Sequence, residues 1–371
     1  MKKILLMTFE YPVGKSYSGG VGQVVKQSRH VLLDLGYNVH VLIAKELHAR
    51  HPVKLLLPDN TLKSYPSFWA FQRKNNLFKY NYIIQHFVNW TKELKKIIKH
   101  NGKKPKILYH FHSILRREKD SGFRTLNRFL LNQEKMIGIA DRVICPSRYE
   151  YDNFIRYFPL FRKKVILIEN TVETFPLNIK KVRSITDKHG IKKRDIVSIY
   201  VGRLERIKGA DIVIKQILGL LRKHRNLKFF MIGKVLEKDL YKKLTKLQKM
   251  FPRQLFYIRY LDKCDLFQYY YLSHIYVNSS LSESFSLSTH ESALCNSALL
   301  LNDLPVFDKF KDAALVFSNH DNKNSFSSKF EYLIRHPALR KQLSKKASRI
   351  ARNFLAHNKF KQDFAKFFKE N

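Results

Sequence analysis

The stretch Ser198-Ile199-Tyr200-Val201-Gly202-Arg203-Leu204-Glu205-Arg206-Ile207-Lys208-Gly209 decides how the rest of the chain is read. Its first residues form a short apolar, β-branched run of the kind that becomes a buried parallel strand. Gly202 lets the chain leave the sheet tightly. A helix over Ala210–His224 follows, with Ile212, Val213, Ile217, Leu220 and Leu221 on one face. Arg203 and Lys208 thereby stand at a strand's carboxyl end beside a helix N-terminus, where cations and open backbone N–H groups together attract an anion. Arginine grips phosphate oxygens in a fork, and lysine supplies a compact point charge.

The same alternation runs outward in both directions. Toward the C-terminus, strands are predicted at Leu227–Ile232, Leu255–Ile258 and Ile275–Asn278, with a helix from about Ser288. Toward the N-terminus they fit Ile4–Phe9, Val39–Ala44, Tyr82–Phe87, Ile107–Phe111, Arg142–Cys145 and Val165–Ile168. A glycine loop with Gly14 and Gly19-Gly20-Val21-Gly22 follows the first strand and leads into a helix ending near Leu35. Residues 45–80, with Pro52, Pro58, Pro66 and many aromatics, read as an irregular excursion. Ala338–Phe368 is helical by period with no strand after it. The alternation lapses in a polar, Lys/Arg-rich stretch. The expected organisation is therefore a first domain over 1–175, a linker over 176–194 and a second domain over 195–356, with a last helix at about 357–371. Two doubly wound α/β sheets imply a cleft lined by the carboxyl ends of strands.

Composition narrows the class. The 371 residues include 70 Lys+Arg and 30 Asp+Glu, a net charge of +40, but also 44% apolar residues with 28 Phe and 19 Tyr. That core is too rich for a disordered basic protein. Residues 1–175 hold 31 Lys+Arg against 13 acids, so the charge coats both halves rather than forming a tail. The three cysteines, Cys145, Cys264 and Cys295, have no CxxC spacing, which excludes a disulfide framework and points to a reducing compartment. The apolar run in Met1–Glu10 is too short for a signal peptide and no stretch is long enough to span a membrane, so a cytoplasmic chain is expected.

A second motif lies about 75 residues beyond the first. Strand Ile275-Tyr276-Val277-Asn278 leads into Ser279-Ser280-Leu281-Ser282-Glu283-Ser284-Phe285-Ser286-Leu287-Ser288-Thr289-His290-Glu291. Glu283 falls in the loop and Glu291 in the early turns of a helix that Ser286 or Ser288 is placed to cap. Two carboxylates beside a helix N-terminus suit a ligand that carries both phosphate and sugar hydroxyls.

The two motifs in this order resemble the retaining GT-B glycosyltransferases of the family-4 type, which carry two Rossmann-like domains facing across a cleft. Gly19-Gly20-Val21-Gly22 is similar to that family's N-terminal glycine loop. Ile107-Leu108-Tyr109-His110-Phe111-His112 is similar to the strand ending in its active-site histidine. Glu134 with Ala140-Asp141-Arg142-Val143-Ile144-Cys145-Pro146-Ser147, and Val165-Ile166-Leu167-Ile168-Glu169-Asn170-Thr171-Val172, resemble two further family segments. The resemblance implies that Arg203 and Lys208 bind the diphosphate of a UDP- or GDP-sugar and stabilise its growing charge. It implies ribose contacts for Glu291, donor-sugar contacts for Glu283, and backbone contacts at Gly20, Val21, Phe285, Ser286 and Leu287. His112 would reach the transferred sugar. A diphosphate oxygen would take the acceptor's proton, with retention of configuration. The last helix would cross back onto the first domain.

The chain departs from the family at Ser284 and Ser286, where glycines are usual, and at Thr171. A side chain at 286 is expected to narrow the approach to the donor or to force a different backbone angle. The sequence has no D-x-D triplet, so no divalent metal and no cofactor are expected. Of the 15 histidines, His110 and His112 lie on one strand; at most one is expected to face the cleft, and His110 is expected to be packed.

Two cations cannot account for the net charge. It fits a glycan or lipid-linked acceptor at an anionic membrane surface on the inner face, a polyanionic acceptor (nucleic acid being the less favoured case), or a lysine-rich proteome. The aromatic and basic stretch Phe68–Tyr80 and the terminal Phe354, Phe360, Phe364, Phe367 and Phe368 can be read as interfacial or as core. The alternative to an enzyme is a catalytically degenerate GT-B scaffold that binds polyanions or membranes.

Overall fold

The structure, a computed structural model, describes residues 1–12, 18–44, 51–88, 90–99, 102, 104–120, 127–318, 325–355 and 357–370. Gly14 of the expected glycine loop lies outside the described residues. The chain divides into two compact units, Met1–Thr171 with Ala356–Asn371, and Val172–Leu355.

In the first unit β1 (Lys3–Thr8), β2 (Asn38–Ile43), β3 (Val53–Leu56), β4 (Leu62–Tyr65), β5 (Tyr82–Gln85), β6 (Lys106–His110), β7 (Arg142–Cys145) and β8 (Val165–Leu167) form one sheet in the order β4-β3-β2-β1-β5-β6-β7-β8. All pairings are parallel except β2–β3 and β3–β4. Within the described part of the stretch expected to be irregular, Val53–Tyr65 is an antiparallel hairpin that extends the sheet. The Arg29 guanidinium ties down its turn by donating to the carbonyls of Leu57 and Pro58 and to Asn60 Oδ1, each at 3.0 Å. Helix Phe68–Lys74, capped by Ser67, buries Phe68 and Phe71 completely, and Trp90 stacks on Phe68 at 5.1 Å. Those aromatics are core. Trp69 alone of this helix's aromatic rings is exposed, under the Lys96 ammonium.

The terminal helix His357–Glu370 presents Phe360, Phe364, Phe367 and Phe368 at helical spacing to a core that includes Val25, Leu32 and Tyr82. Their burial removes the interfacial reading for these four.

In the second unit β9 (Ile196–Val201), β10 (Leu227–Ile232), β11 (Leu255–Ile258), β12 (Ile275–Asn278), β13 (Ala298–Asn302) and β14 (Ala314–Phe317) form an all-parallel sheet in the order β11-β10-β9-β12-β13-β14. Strands β10, β12 and β13 are buried along their whole length, as a sheet covered on both faces requires. Strand order reverses between β9 and β12, which lie side by side with Val277 opposite Tyr200. That boundary is the switch point where open parallel sheets bind ligands.

The polar stretch expected as a linker holds a helix over Ile179–Lys188, capped by Asn178. Its N-terminal approach is docked: Asn178 N–H donates to Gln268 Oε1 at 2.8 Å, and Gln268 Nε2 donates to the Pro176 carbonyl at 3.1 Å. Lys181 pairs with Asp265 at 2.5 Å.

Candidate functional site

The loop after β9 is fixed from beneath. The Tyr200 hydroxyl lies 3.1 Å from the carbonyl oxygens of both Arg203 and Lys208. From the loop after β12, the Ser279 hydroxyl is shared between the carbonyls of Lys208 and Gly209 at 3.1 and 2.9 Å. Gly209 takes φ +64°, and a Cβ there would sit 1.8 Å from the Ser279 carbonyl oxygen, so only glycine fits between Lys208 and the helix Ala210–Lys223.

These constraints aim two cations. The Arg203 guanidinium is about half exposed and pairs with Glu205 at 2.9 Å. Lys208 Nζ lies 2.9 Å from Glu283 Oε1 and 3.4 Å from the Ser282 carbonyl. Ser280 Oγ donates to the same Glu283 oxygen at 2.8 Å. The two motifs therefore meet at the switch point, and an ion pair joins Lys208 to Glu283, 75 residues on.

Ser286 shows how the chain manages without the usual glycine. It adopts φ +63°, in the left-handed region, the different backbone angle that a serine there threatened. Asn278 Nδ2 donates to its Oγ at 3.0 Å, and that Oγ lies 2.8 Å from Thr289 Oγ1. The side chain is spent on these internal contacts. The expected cap is absent: neither serine caps the helix Leu287–Leu294, Ser288 Oγ instead meeting the Tyr276 hydroxyl at 2.7 Å. Neither serine side chain therefore accepts from the helix's opening N–H groups. Phe285 is buried, its ring parallel to the His290 imidazole at 4.2 Å.

Glu291 is 2% exposed. Its Oε1 is ion-paired with Lys263, and the Tyr270 hydroxyl donates to Oε2 at 3.3 Å. A carboxylate has about four lone-pair sites, so these partners leave capacity for a hydroxyl donor. Lys263 opens the helix Lys263–Leu272, outside both motifs, and no spacing marked it.

In the first unit, Gly20 and Val21 begin the helix Gly20–Asp34. The Glu10 carboxylate accepts from the N–H groups of Gly19 and Gly22 at 3.1 and 3.0 Å, so an internal anion already holds this helix start. His112, partly exposed, follows β6. Its ring is parallel to that of His110 at 5.0 Å, and its Nε2 lies 3.2 Å from His86 Nδ1. His110 is fully buried, as expected for a packed histidine, but the two do not alternate across the strand. Residues two apart on a strand share a face, and these two stack. Burial holds all three imidazoles well below the ordinary value of 6.5, with His110 pushed down to about 3. Among the described residues no cluster of His, Cys, Asp or Glu is arranged to hold a metal.

Two doubly wound sheets, the second with cations and carboxylates at its switch point, define the GT-B class. Residues 18–174 match the family described as Glycosyltransferase Family 4, and residues 181–350 match Glycosyl transferases group 1. The Alpha-monoglucosyldiacylglycerol synthase of Acholeplasma laidlawii is 21% identical over 351 residues, covering 85% of this chain and 83% of that protein. A D-inositol 3-phosphate glycosyltransferase of Streptomyces bingchenggensis (strain BCW-1) is 22% identical over 242 residues, 61% of this chain and 52% of its own. Among solved structures, sucrose-phosphate synthase from Thermosynechococcus elongatus superposes with a TM-score of 0.78 at 15% identity, covering 100% and 99% of the two chains. Anabaena HepE in complex with UDP-glucose gives 0.73 at 15% identity over 100% of both. Together the two family matches cover both units and mark a family-4/group 1 chain. It is a GT-B glycosyltransferase.

Proposed function

We propose that the chain moves a sugar from a nucleoside-diphosphate donor to an acceptor hydroxyl with retention of configuration and without a divalent metal. The observation that carries this is the Lys208–Glu283 pair at the β9–β12 switch point, with Arg203 beside it. In this reading the diphosphate draws Lys208 and Arg203 away from their carboxylates, and the two cations stabilise the charge that builds as the glycosidic bond breaks. Glu283, released from Lys208, turns to the donor sugar's hydroxyls. Glu291 accepts from the ribose hydroxyls. The backbone at Phe285, Ser286 and Leu287 and the opening of the helix beyond them meet the sugar and phosphate. Gly20, Val21 and His112 are the first unit's contributions, with His112 assigned to the transferred sugar. A diphosphate oxygen takes the acceptor's proton, so no further base is required.

For the acceptor we favour a lipid or lipid-linked glycan at the inner membrane face. The Acholeplasma relative is named for a diacylglycerol glycolipid, and no helix among the described residues is long and apolar enough to cross a membrane. A groove of about 510 Å³ in the first unit, lined by Lys95, Lys99, Arg142, Lys163 and Lys164 against the single carboxylate of Asp141, supports an anionic surface as partner. Calorimetric titration with UDP and GDP tests the donor: saturable binding of one of them is expected, and no binding of either at millimolar concentration overturns the reading.

A further inference from the structure

Three imidazoles are stacked at the carboxyl ends of β5 and β6, and one of them has no assigned part. Gln85 is opposite Tyr109 in the parallel register, which brings His86 level with His110. Ring centroids lie 4.8 Å apart for His86 and His110, 5.0 Å for His110 and His112, and 5.4 Å for His86 and His112. The His110 and His112 rings are nearly parallel at 7°, His86 is tilted by 35° and 28° against them, and among the described residues no group is arranged to hold a metal. One direct polar contact joins them, His86 Nδ1 to His112 Nε2 at 3.2 Å.

His86 is 1% exposed, and its Nε2 has no hydrogen-bond partner among the described residues. A neutral imidazole has one ring hydrogen to place. On Nε2 it would be an orphaned buried N–H, the rarer and costlier defect. On Nδ1 it is donated to His112 Nε2, and only a lone pair goes unmatched. His112 Nε2 is then the acceptor, and the hydrogen of the neutral His112 ring must sit on Nδ1.

We propose that His86 is a positioning residue for the transfer reaction: its Nδ1–H fixes His112 as the Nδ1–H tautomer, so that His112 meets the transferred sugar as a hydrogen-bond donor to a hydroxyl or ring oxygen. This rests on the role given to His112 above. The tautomer itself does not.

The test separates the two. Long-range proton–nitrogen spectra of the full chain carrying nitrogen-15 histidine are expected to show His112 as the Nδ1–H form. His86→Phe keeps a flat ring in the stack but removes the donor, and should move His112 toward the Nε2–H form. His86→Asn places an amide N–H near the position of Nδ1 and should restore the original pattern. In steady state His86→Phe should lower kcat about tenfold, the scale of one oriented hydrogen bond, with the donor's KM unchanged, and His86→Asn should recover most of that loss. A wild-type His112 in the Nε2–H form overturns the proposal, as does a His86→Phe protein with spectrum and kcat unaltered. If the wild type turns over no nucleotide sugar, the functional reading fails while the spectra still decide the tautomer. Should His86→Phe not fold, the wild-type spectrum and His86→Asn decide it.

Discussion

Lys208 Nζ and Glu283 Oε1 lie 2.9 Å apart, joining the loop after β9 to the loop after β12. Both side chains are partly open to solvent, at 22% and 13%, so the pair adds little to stability. The donor's diphosphate is expected to take Lys208 from Glu283. Lys208→Ala should reduce transfer by about a hundredfold or more, the scale of losing one charge-stabilising group. Its melting temperature should fall by no more than about 4 °C. A collapse of stability in calorimetry, with activity lost only in proportion, would make Lys208 a structural residue instead.

The Lys263–Glu291 pair behaves oppositely because Glu291 is buried. Lys263→Met leaves an uncompensated internal carboxylate and should cost about 3–5 kcal/mol in urea unfolding. Lys263→Met with Glu291→Gln should recover most of that loss. The single Glu291→Gln should weaken nucleoside diphosphate binding in titration. Independent, additive effects of the two substitutions would show that the pair is not coupled.

Ser286 and Gly209 occupy the same backbone region for different reasons. Gly209→Ala drives a methyl into the Ser279 carbonyl at φ +64° and should destabilise by more than about 2 kcal/mol. Ser286→Gly relieves the left-handed strain while losing the contacts to Asn278 and Thr289, so the melting curve should scarcely move. Ser286→Ala loses the contacts and keeps the strain, and should be the less stable of the two 286 variants. The reverse ranking would remove the claim that the serine hydroxyl holds this turn.

Stability should fall on the acid side well before carboxylates titrate. His86, His110, His112 and His290 are held neutral chiefly by burial, all below the ordinary 6.5 and His110 at about 3. In the unfolded chain each takes a proton as pH drops through 6.5, while in the folded chain it does not. The unfolded state therefore binds more protons between about pH 6.5 and 3, and stability that is intact above that window is lost as pH falls through it. His110 contributes about 1.4 kcal/mol per pH unit across that window. Urea midpoints measured from pH 7.5 to 5 should decline, and His110→Phe should flatten the slope by about one proton. A level midpoint over that range contradicts the burial of these rings.

The α/β class and the strands around both motifs were legible because parallel strands are continuous apolar runs, which stand out at Leu227–Ile232 and Ile275–Asn278. Strands β13 and β14 were not. Asn296, in the left-handed conformation at φ +61°, ends the helix Leu287–Leu294 through backbone geometry that leaves little trace in residue order. The hairpin β3–β4 hid among prolines and aromatics because its turn is held by Arg29 from another element. At the candidate site, the residues with sequence spacing (Arg203, Lys208, Glu283 and Glu291) were readable. Lys263, Ser280, Tyr200, His86 and Glu10 were not, since they act through tertiary proximity and carry no periodic signal.

The helix His357–Glu370 completes the core of the unit to which Met1–Thr171 belongs. On the ribosome, the half of the chain that emerges first is thus the last to be finished. Val172–Leu355 has all its strands in hand before Phe360, Phe364, Phe367 and Phe368 are made. A nascent chain lacking those four rings leaves Val25, Val31 and Leu32 with an open apolar face until the last helix is made.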